Sequence, residues 1–575
     1  QKDAASPLAP ESDEETVKAD TDKPEDKSGE KPAGDAAAGS PAKEAKQAGG
    51  AGEKAKDKPV EIRIDFEALD QRILALPLPA RNYTGLWTGK AGQVYLREGD
   101  LLPQFGPARA KIQLFDLKKR KAEPVADGVS AFALSHDGGK MLLQLGPRWA
   151  VAPAGQPFKP GETWLDTAAM DVRVDPPAEW RQMYREVWRI ERDFLYDPNA
   201  HGLDLRAAEK RYEPYLAAVA SRGDLNYLFS EMLGNLVLGH TYVGGGDLAP
   251  VTRVPGGLLG ADYETADGRV RFAHVYRGEN WNPGLRAPLT QPGVDVREGE
   301  YLLAVDGRDV RADDNVHRFF ENTAGKAVRI KVGPNADGNG AREVVVEPLA
   351  SETSLRHRAW IDGNRRRVET LSGGRIGYVY LPDTAAGGYT YFNRYFFAQV
   401  GKQALVVDER YNGGGYAADY IVDLLHRPLM NYWSTREGEP FTTPTGAIFG
   451  PKAMLINEYA GSGGDAMPWY FRRARVGPLV GKRTWGGLVG IYDYPALLDG
   501  GRVTAPRVAF WNPEGQWEVE NYGVAPDVEV ELDPLLWRQG RDAQLEQAVE
   551  ILLQDLEKNP PPRHRQPAYP DYYKQ

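Results

Sequence analysis

The pattern of apolar and polar positions changes character several times along the chain. From Val60 to about Thr167, short runs alternate apolar with polar residues, as at 61–66, 93–96 and 111–117. Asp137-Gly138 separates two such runs at 132–135 and 140–143. Period-two alternation with an Asp-Gly turn predicts antiparallel hairpins. This segment is expected to form a small sandwich or the last blades of a propeller. Helical spacing follows: Pro176-Pro177 precede Trp180, Tyr184, Val187, Trp188 and Ile190, a stripe best read as core packing. A second helical segment at about 225–237 runs into Leu238-Gly239-His240-Thr241-Tyr242 and the glycines 244–246. Residues 251–350 return to strand patterning. From residue 353, strands at 376–381, 404–408 and 453–456 alternate with helical patterns, an α/β arrangement whose sites gather beyond strand ends.

Composition narrows the chemistry. Residues 1–59 hold no aromatic side chain, and 10 Lys stand against 14 Asp and Glu there, a net of −4. Such a segment buries too little apolar surface to offset its ordering entropy and reads as a disordered acidic linker. The whole chain of 575 residues has 71 Lys+Arg against 81 Asp+Glu, a balance of −10 that argues against a general nucleic-acid binder. Cysteine is absent, which excludes disulfides, thiol catalysis and cysteine-held metals. None of the 8 histidines has HExxH spacing, so no metal or cofactor is expected. No apolar run approaches the roughly 18 residues of a membrane span, and no signal peptide opens the sequence. The start at Gln1 reads as processed or truncated, which leaves a removed export signal open. The chemistry must therefore rest on hydroxyls, carboxylates, imidazoles or backbone amides.

Four places could carry it. At 457–466 an apolar strand runs into Gly461-Ser462-Gly463, and a helix is expected over 467–473. A serine on a sharp strand-to-helix turn projects its hydroxyl, and the following Gly463 amide can stabilise an oxyanion. A plain glycine-serine turn with a helix cap fits the same residues. After the strand at 404–408 comes Glu409-Arg410-Tyr411-Asn412-Gly413-Gly414-Gly415. These glycines free backbone amides for close approach to a ligand, or form a flexible turn. The P-loop Gly-Lys-Ser/Thr is missing. His240 and Glu520 are the remaining candidates, each equally compatible with an exposed or structural role.

Two resemblances tie these places together. Gly257-Leu258-Leu259-Gly260, followed by Gly299-Glu300-Tyr301-Leu302-Leu303-Ala304-Val305-Asp306-Gly307, resembles a PDZ domain. In that fold the loop amides face a peptide carboxylate while the peptide adds a strand; a PDZ-like spacer that binds nothing is the alternative. The order of Gly239-His240-Thr241-Tyr242, the PDZ-like insert, 408–415, 457–465, Thr484-Trp485-Gly486-Gly487 and 519–523 resembles the tricorn proteases over roughly 60–555. The resemblance implies a multidomain α+β chain: a disordered acidic linker (1–59), a β-propeller end (60–167), a helical core half carrying the histidine (168–250), a PDZ-like domain (251–352), an α/β serine-peptidase core half (353–557) and a loose tail (558–575).

It further implies Ser462 as nucleophile, His240 as general base, Glu520 as the relay carboxylate, and oxyanion amides from Gly463 and Gly415, with Gly414 as the fallback. His240 and Ser462 lie 222 positions apart, so the two core halves must pack together. The implied activity is a serine endopeptidase or oligopeptide hydrolase acting on peptides through an acyl-enzyme. A homo-oligomer and a cytoplasmic setting accompany it, the periplasm being the alternative. Departures are informative. Gly239 replaces the serine that precedes the histidine in the family's archaeal pattern. Trp433 stands where an acidic residue selects basic side chains, which predicts a shift toward apolar or aromatic residues. Gly463 rather than aspartate follows the nucleophile. Gly487 holds the position of the lysine used by related C-terminal processing peptidases, and Lys482 is a poor substitute. The two upstream propellers are not encoded beyond their end, so the chain is expected to be a C-terminal fragment or truncated form. The rival functions are a catalytically silent peptide-binding scaffold and an interaction module of an envelope complex.

Overall fold

The computed structural model describes residues 8, 66–67, 73–100, 109–161, 164–560 and 565–574. The linker expected over 1–59 (Leu8 apart), the run expected at 61–65 and Pro561-Pro562 of the expected tail lie outside them. Residues 1–172 and 173–575 form two compact units.

In the first unit, β1 (Tyr83–Thr88), β2 (Gln93–Glu98), β3 (Ala110–Asp116), β4 (Lys121–Leu134), β5 (Lys140–Leu145) and β6 (Arg148–Pro153) make one open antiparallel sheet in sequence order. The expected hairpin at 132–143 is present, with Leu134 opposite Met141. Alternate residues, among them Tyr95, Ile112, Leu114, Met141 and Leu143, bury one face. The result is a single layer, not the two of a sandwich.

The second unit opens with α1 (Pro176–Phe194), α2 (Leu205–Tyr212) and α3 (Arg222–Leu233). Asp175 caps α1 by accepting from the Ala178 amide, ahead of prolines suited to a first turn. The expected stripe is buried at Tyr184, Val187, Trp188 and Ile190. A capping box between Ser221 and Asp224 starts α3 before the apolar run that marked it in the sequence. The strand β7 (Val243–Gly244) follows, just past His240.

A five-stranded antiparallel path comes next, in the order β13 (Arg342–Val346), β12 (Val328–Gly333), β10 (Tyr301–Val305), β9 (Arg269–Val275), β8 (Ala261–Ala266), with β11 (Arg308–Asp309) paired to β10. The Gly-Leu-Leu-Gly loop leads into β8, but three of its four amides are committed. Gly257 donates to Phe320 O and Leu258 to Leu349 O, both at 2.8 Å, and Gly260 to Glu352 Oε2 at 2.9 Å. Three donors expected to face a peptide carboxylate are thus held by the chain itself.

Helix α4 (Thr353–Leu371) enters the last part, built of β14 (Ile376–Tyr380), α5 (Ala386–Phe397), β15 (Ala404–Asp408), α6 (Ala418–His426), the hairpin β16 (Asn431–Trp433) and β17 (Phe441–Thr443), β18 (Lys452–Ile456), α7 (Gly463–Arg473), β19 (Leu479–Gly481), β20 (Arg502–Val503), β21 (Val528–Glu529), α8 (Pro534–Arg538) and α9 (Ala543–Lys558). Strands β14, β15, β18, β19 and β21 pair in that order, all parallel. Val379, Leu405, Val407, Met454 and Ile456 face α5, α6 and α7, while Tyr378, Val406, Leu455 and Val480 face α4 and α9. Burial on both faces explains the continuous apolar strands in the sequence. Because β15 and β18 are neighbours, the loops at 409–417 and 457–462 leave the same carboxyl edge side by side.

The helical half joins this sheet through one long excursion after β19. Strand β20 pairs with β7, Leu497, Val503 and Ala505 enter the helical core, and Arg222 forms a buried ion pair with Asp499 at 2.5 Å.

Candidate active site

Ser462 sits at the junction of β18 and α7 with φ 56° and ψ −116°. A left-handed serine costs about 1–3 kcal/mol unless its surroundings enforce it, and such residues gather at functional sites. Here Val237, His240, Tyr411, Val519 and Asn521 share positive φ. The Ser462 turn is enforced by its amide, which donates to Asp465 Oδ2 at 2.9 Å and to Gly487 O at 3.0 Å. Asp465 is fully buried and accepts in addition from Gly486 N at 2.8 Å, Gly487 N at 3.1 Å and the Thr484 hydroxyl. Burial pushes its carboxyl upward while these hydrogen bonds pull it down. Asp465 in the first turn accepts from the Ser462 amide, the carboxylate half of a capping box, and α7 starts at Gly463, four residues before the expected 467.

The glycine loops place two amides beside the serine. A Cβ on Gly414 would lie 2.6 Å from Ser462 Cβ, and one on Gly463 would lie 2.7 Å from Gly415 N. Backbone of this closeness requires glycine at both positions. The Gly414 amide is engaged, donating to Asn412 Oδ1 at 2.9 Å. Among the described residues the amides of Gly415 and Gly463 have no acceptor. Gly414 O accepts from Thr384 N at 2.9 Å. Since carbonyl and amide of one peptide plane point oppositely, that bond fixes the direction of the Gly415 N–H.

His240, 7% exposed, lines the same cavity as Ser462. Its carbonyl accepts from the Thr504 hydroxyl, which in turn accepts from Tyr242 N at 2.8 Å, so the segment before Ala505 holds the histidine's loop. Trp485 packs on the imidazole with ring centres 5.3 Å apart. Burial pushes its pKa below the usual 6.5, and the Glu520 charge acts against that. Nδ1 is buried without a hydrogen-bond partner among the described residues, so Nε2 is the nitrogen available for proton transfer. No hydrogen bond joins His240 to Ser462 among the described residues.

Glu520 does not bond the imidazole. Its Oε1 accepts from Gly239 N at 2.7 Å, and its Oε2 from Leu488 N at 2.7 Å and Val489 N at 2.9 Å. It pins the Leu238–Gly239 peptide, one residue before His240, to the loop after Gly487. A Cβ at position 239 would sit 3.1 Å from Gly487 Cα and 3.2 Å from Glu520 Oε1, so glycine there permits the close approach.

The cavity has a volume of about 570 Å³. Ser462, Gly463, Ala466 and Tyr470 descend one face of α7, while Leu488, Val508 and Phe510 form the opposite wall and Asp419 adds a carboxylate. No sequence motif announces that wall, which comes from the excursion after β19. Trp433 does not line the cavity. It lies half-exposed on the β16–β17 hairpin, its indole donating to Thr443 Oγ1 at 2.8 Å. Lys482 is turned away from the serine's work, bound to Glu529 at 2.6 Å and Glu531 at 2.5 Å, which hold it protonated.

Three family models match the chain in order: Tricorn protease C1 domain over 176–234, Tricorn protease PDZ domain over 257–351, and Peptidase family S41 over 375–530. Tricorn protease homolog 1 of Streptomyces coelicolor is 36% identical over 515 residues, covering 87% of this chain and 48% of the relative. Tricorn protease of Thermoplasma volcanium is 30% identical over 512 residues, covering 87% and 49%. A crystal structure of the tricorn protease superposes with a TM-score of 0.75 at 29% identity, covering 83% of this chain and 47% of that one. The chain spans about half the length of these curated relatives. Helical half, PDZ-like sheet and parallel-sheet half thus follow one another here as in those proteins, and the chain belongs to the tricorn protease family.

Proposed function

We propose that this chain is a serine endopeptidase or oligopeptide hydrolase of the tricorn type. The observation that carries the reading is the pair of free amides at Gly415 and Gly463, residues that line one cavity with His240 and a left-handed Ser462. Ser462 Oγ attacks the peptide carbonyl as His240 Nε2 takes its proton, and the two amides receive the oxyanion. The same proton passes to the leaving amine, giving an acyl-enzyme. Water then attacks the ester, again through His240, and releases the acid and the free serine. Glu520 holds the Leu238–Gly239 peptide in place beside His240 and stabilises the imidazolium by its charge.

Apolar walls at Ala466, Leu488, Val508 and Phe510 support acceptance of apolar or aromatic side chains before the scissile bond. Among the described residues no helix is long and apolar enough to cross a membrane. A propeller-type role for the first sheet, homo-oligomeric assembly and a cytoplasmic setting complete the reading; light scattering of the purified chain tests the assembly.

Intact mass after fluorophosphonate treatment, followed by peptide mapping, tests the chemistry. One adduct on Ser462, lost in Ser462→Ala and strongly slowed in His240→Ala, is expected. Wild-type protein that stays unlabelled and turns over no peptide would refute the assignment.

A further inference from the structure

Asn412 belongs to none of the roles assigned above, yet it touches both arms of the oxyanion site. It is fully buried. Its side-chain Oδ1 accepts from Gly414 N at 2.9 Å, and its backbone carbonyl accepts from Gly461 N at 3.1 Å. Gly414 immediately precedes one oxyanion amide, and Gly461 immediately precedes the nucleophile. The start of α7 also rests directly on it: a Cβ on Gly464 would meet Asn412 O at 2.9 Å and Asn412 Cβ at 3.0 Å. One residue therefore sets the spacing between the loop after β15 and the loop after β18.

The asparagine's own orientation is fixed from behind. Its Nδ2 donates to Glu409 Oε2 at 3.2 Å, and its backbone amide donates to Glu409 O at 3.0 Å. Glu409 is fully buried, and burial together with the Asp465 and Asp408 charges pushes its carboxyl well above the usual range. A neutral acid there can be kept in a dry interior without a counter-cation. An asparagine with its Nδ2 committed to this acid can present only its oxygen to Gly414.

Building on the peptidase reading, we infer that Asn412 is the positioning residue of the oxyanion hole: it captures the Gly414 amide, so that Gly415 rather than Gly414 faces the substrate, and Glu409 fixes which end of its amide points there. The chemistry recognised is the tetrahedral oxyanion, and no bound group is needed to build it. Preorganised donors of this kind act in the transition state more than in the ground state.

The test compares active-site-titrated wild type with Asn412→Ala and with the double variant Glu409→Gln/Asn412→Asp. The double variant reverses the order of acid and amide and can make the same two hydrogen bonds. Steady-state peptide hydrolysis and binding of a peptide boronate, a tetrahedral mimic, are measured. Asn412→Ala should lose about a hundredfold in kcat, with KM little changed and boronate affinity falling by a similar factor. The double variant should recover to within about tenfold of wild type. A purely structural role would lower thermal stability and the titratable fraction while leaving kcat per active site and boronate affinity intact, which would overturn the inference. If Asn412→Ala does not fold, a folded double variant with kcat reduced about a hundredfold overturns it equally, and one near wild type supports it. Fluorophosphonate labelling of wild-type Ser462 reports on the peptidase reading itself, so failure of that reading and failure of this inference give different results.

Discussion

Glu520→Gln separates two ways in which a carboxylate can serve a catalytic histidine. In this structure Oε1 holds one backbone amide and Oε2 holds two, at 2.7, 2.7 and 2.9 Å. A glutamine accepts at one end only. With its oxygen toward Leu488 and Val489, its NH2 group meets the Gly239 N–H, losing one charge-assisted bond at a cost of about 2–3 kcal/mol. The opposite orientation loses two bonds, so the first is adopted and the Leu238–Gly239 peptide is what shifts. The direct catalytic loss is then the missing charge. At an effective dielectric of about 20, a neighbouring unit charge is worth on the order of 3 kcal/mol to the imidazolium, or about a hundredfold in rate. A carboxylate that bonds Nδ1 and fixes its tautomer is worth about 10⁴ instead. The expected result is therefore a drop of about a hundredfold in kcat/KM, measured on a fluorogenic peptide across pH. Glu520 raises the His240 pKa against burial, so its removal lowers that pKa further. Because the base must be neutral, the acid limb of kcat/KM should move to lower pH. A loss near 10⁴ would show that the working enzyme bonds Glu520 directly to His240, and an acid limb displaced upward would refute the charge argument itself.

Three further substitutions test the frame around the site. Glu191 in α1 is buried with neither carboxyl oxygen hydrogen-bonded, and burial pushes its pKa up to about 8. The protonated form is favoured by folding, so this group's contribution is complete below about pH 4.5 and is lost as pH rises through about 8. Glu191→Gln should therefore stabilise the protein by about 3 kcal/mol at pH 7 and by little at pH 4, read from urea unfolding; a difference independent of pH would count against it. Asp465→Asn loses least with its NH2 group toward Thr484 and Gly486, where the threonine hydroxyl can turn to accept but Gly486 N is left without an acceptor, and should cost about 2 kcal/mol in the same assay together with much of the Ser462 labelling rate. Trp433→Asp should leave the ratio of cleavage after Arg or Lys to cleavage after apolar residues unchanged, because Trp433 lies on the β16–β17 hairpin and not in the cavity wall; a rise in that ratio would return Trp433 to the specificity argument.

The sequence disclosed residues whose chemistry depends on local context and concealed those whose role depends on a meeting of distant segments. Ser462 stood on a strand–Gly-Ser-Gly–helix signal, and His240 and Glu520 became legible through the order of motifs shared with one family. The choice between Gly414 and Gly415 could not be made there, because three adjacent glycines are chemically alike until Asn412 takes the amide of one of them. The relay was equally opaque: a glutamate's sequence position does not reveal that its three acceptor bonds go to backbone amides 281, 32 and 31 residues away rather than to an imidazole. The cavity wall at Leu488, Val508 and Phe510 had no signature, since its residues share only a fold-back onto α7 and not a period. The Gly-Leu-Leu-Gly loop erred in the other direction. Its motif promised free amides, but Phe320, Leu349 and Glu352 take three of the four. A motif fixes the backbone shape of a site, whereas the chain packed around that shape decides which donors remain free, and in this protein that difference separates the loop at Gly415 from the loop at Gly257.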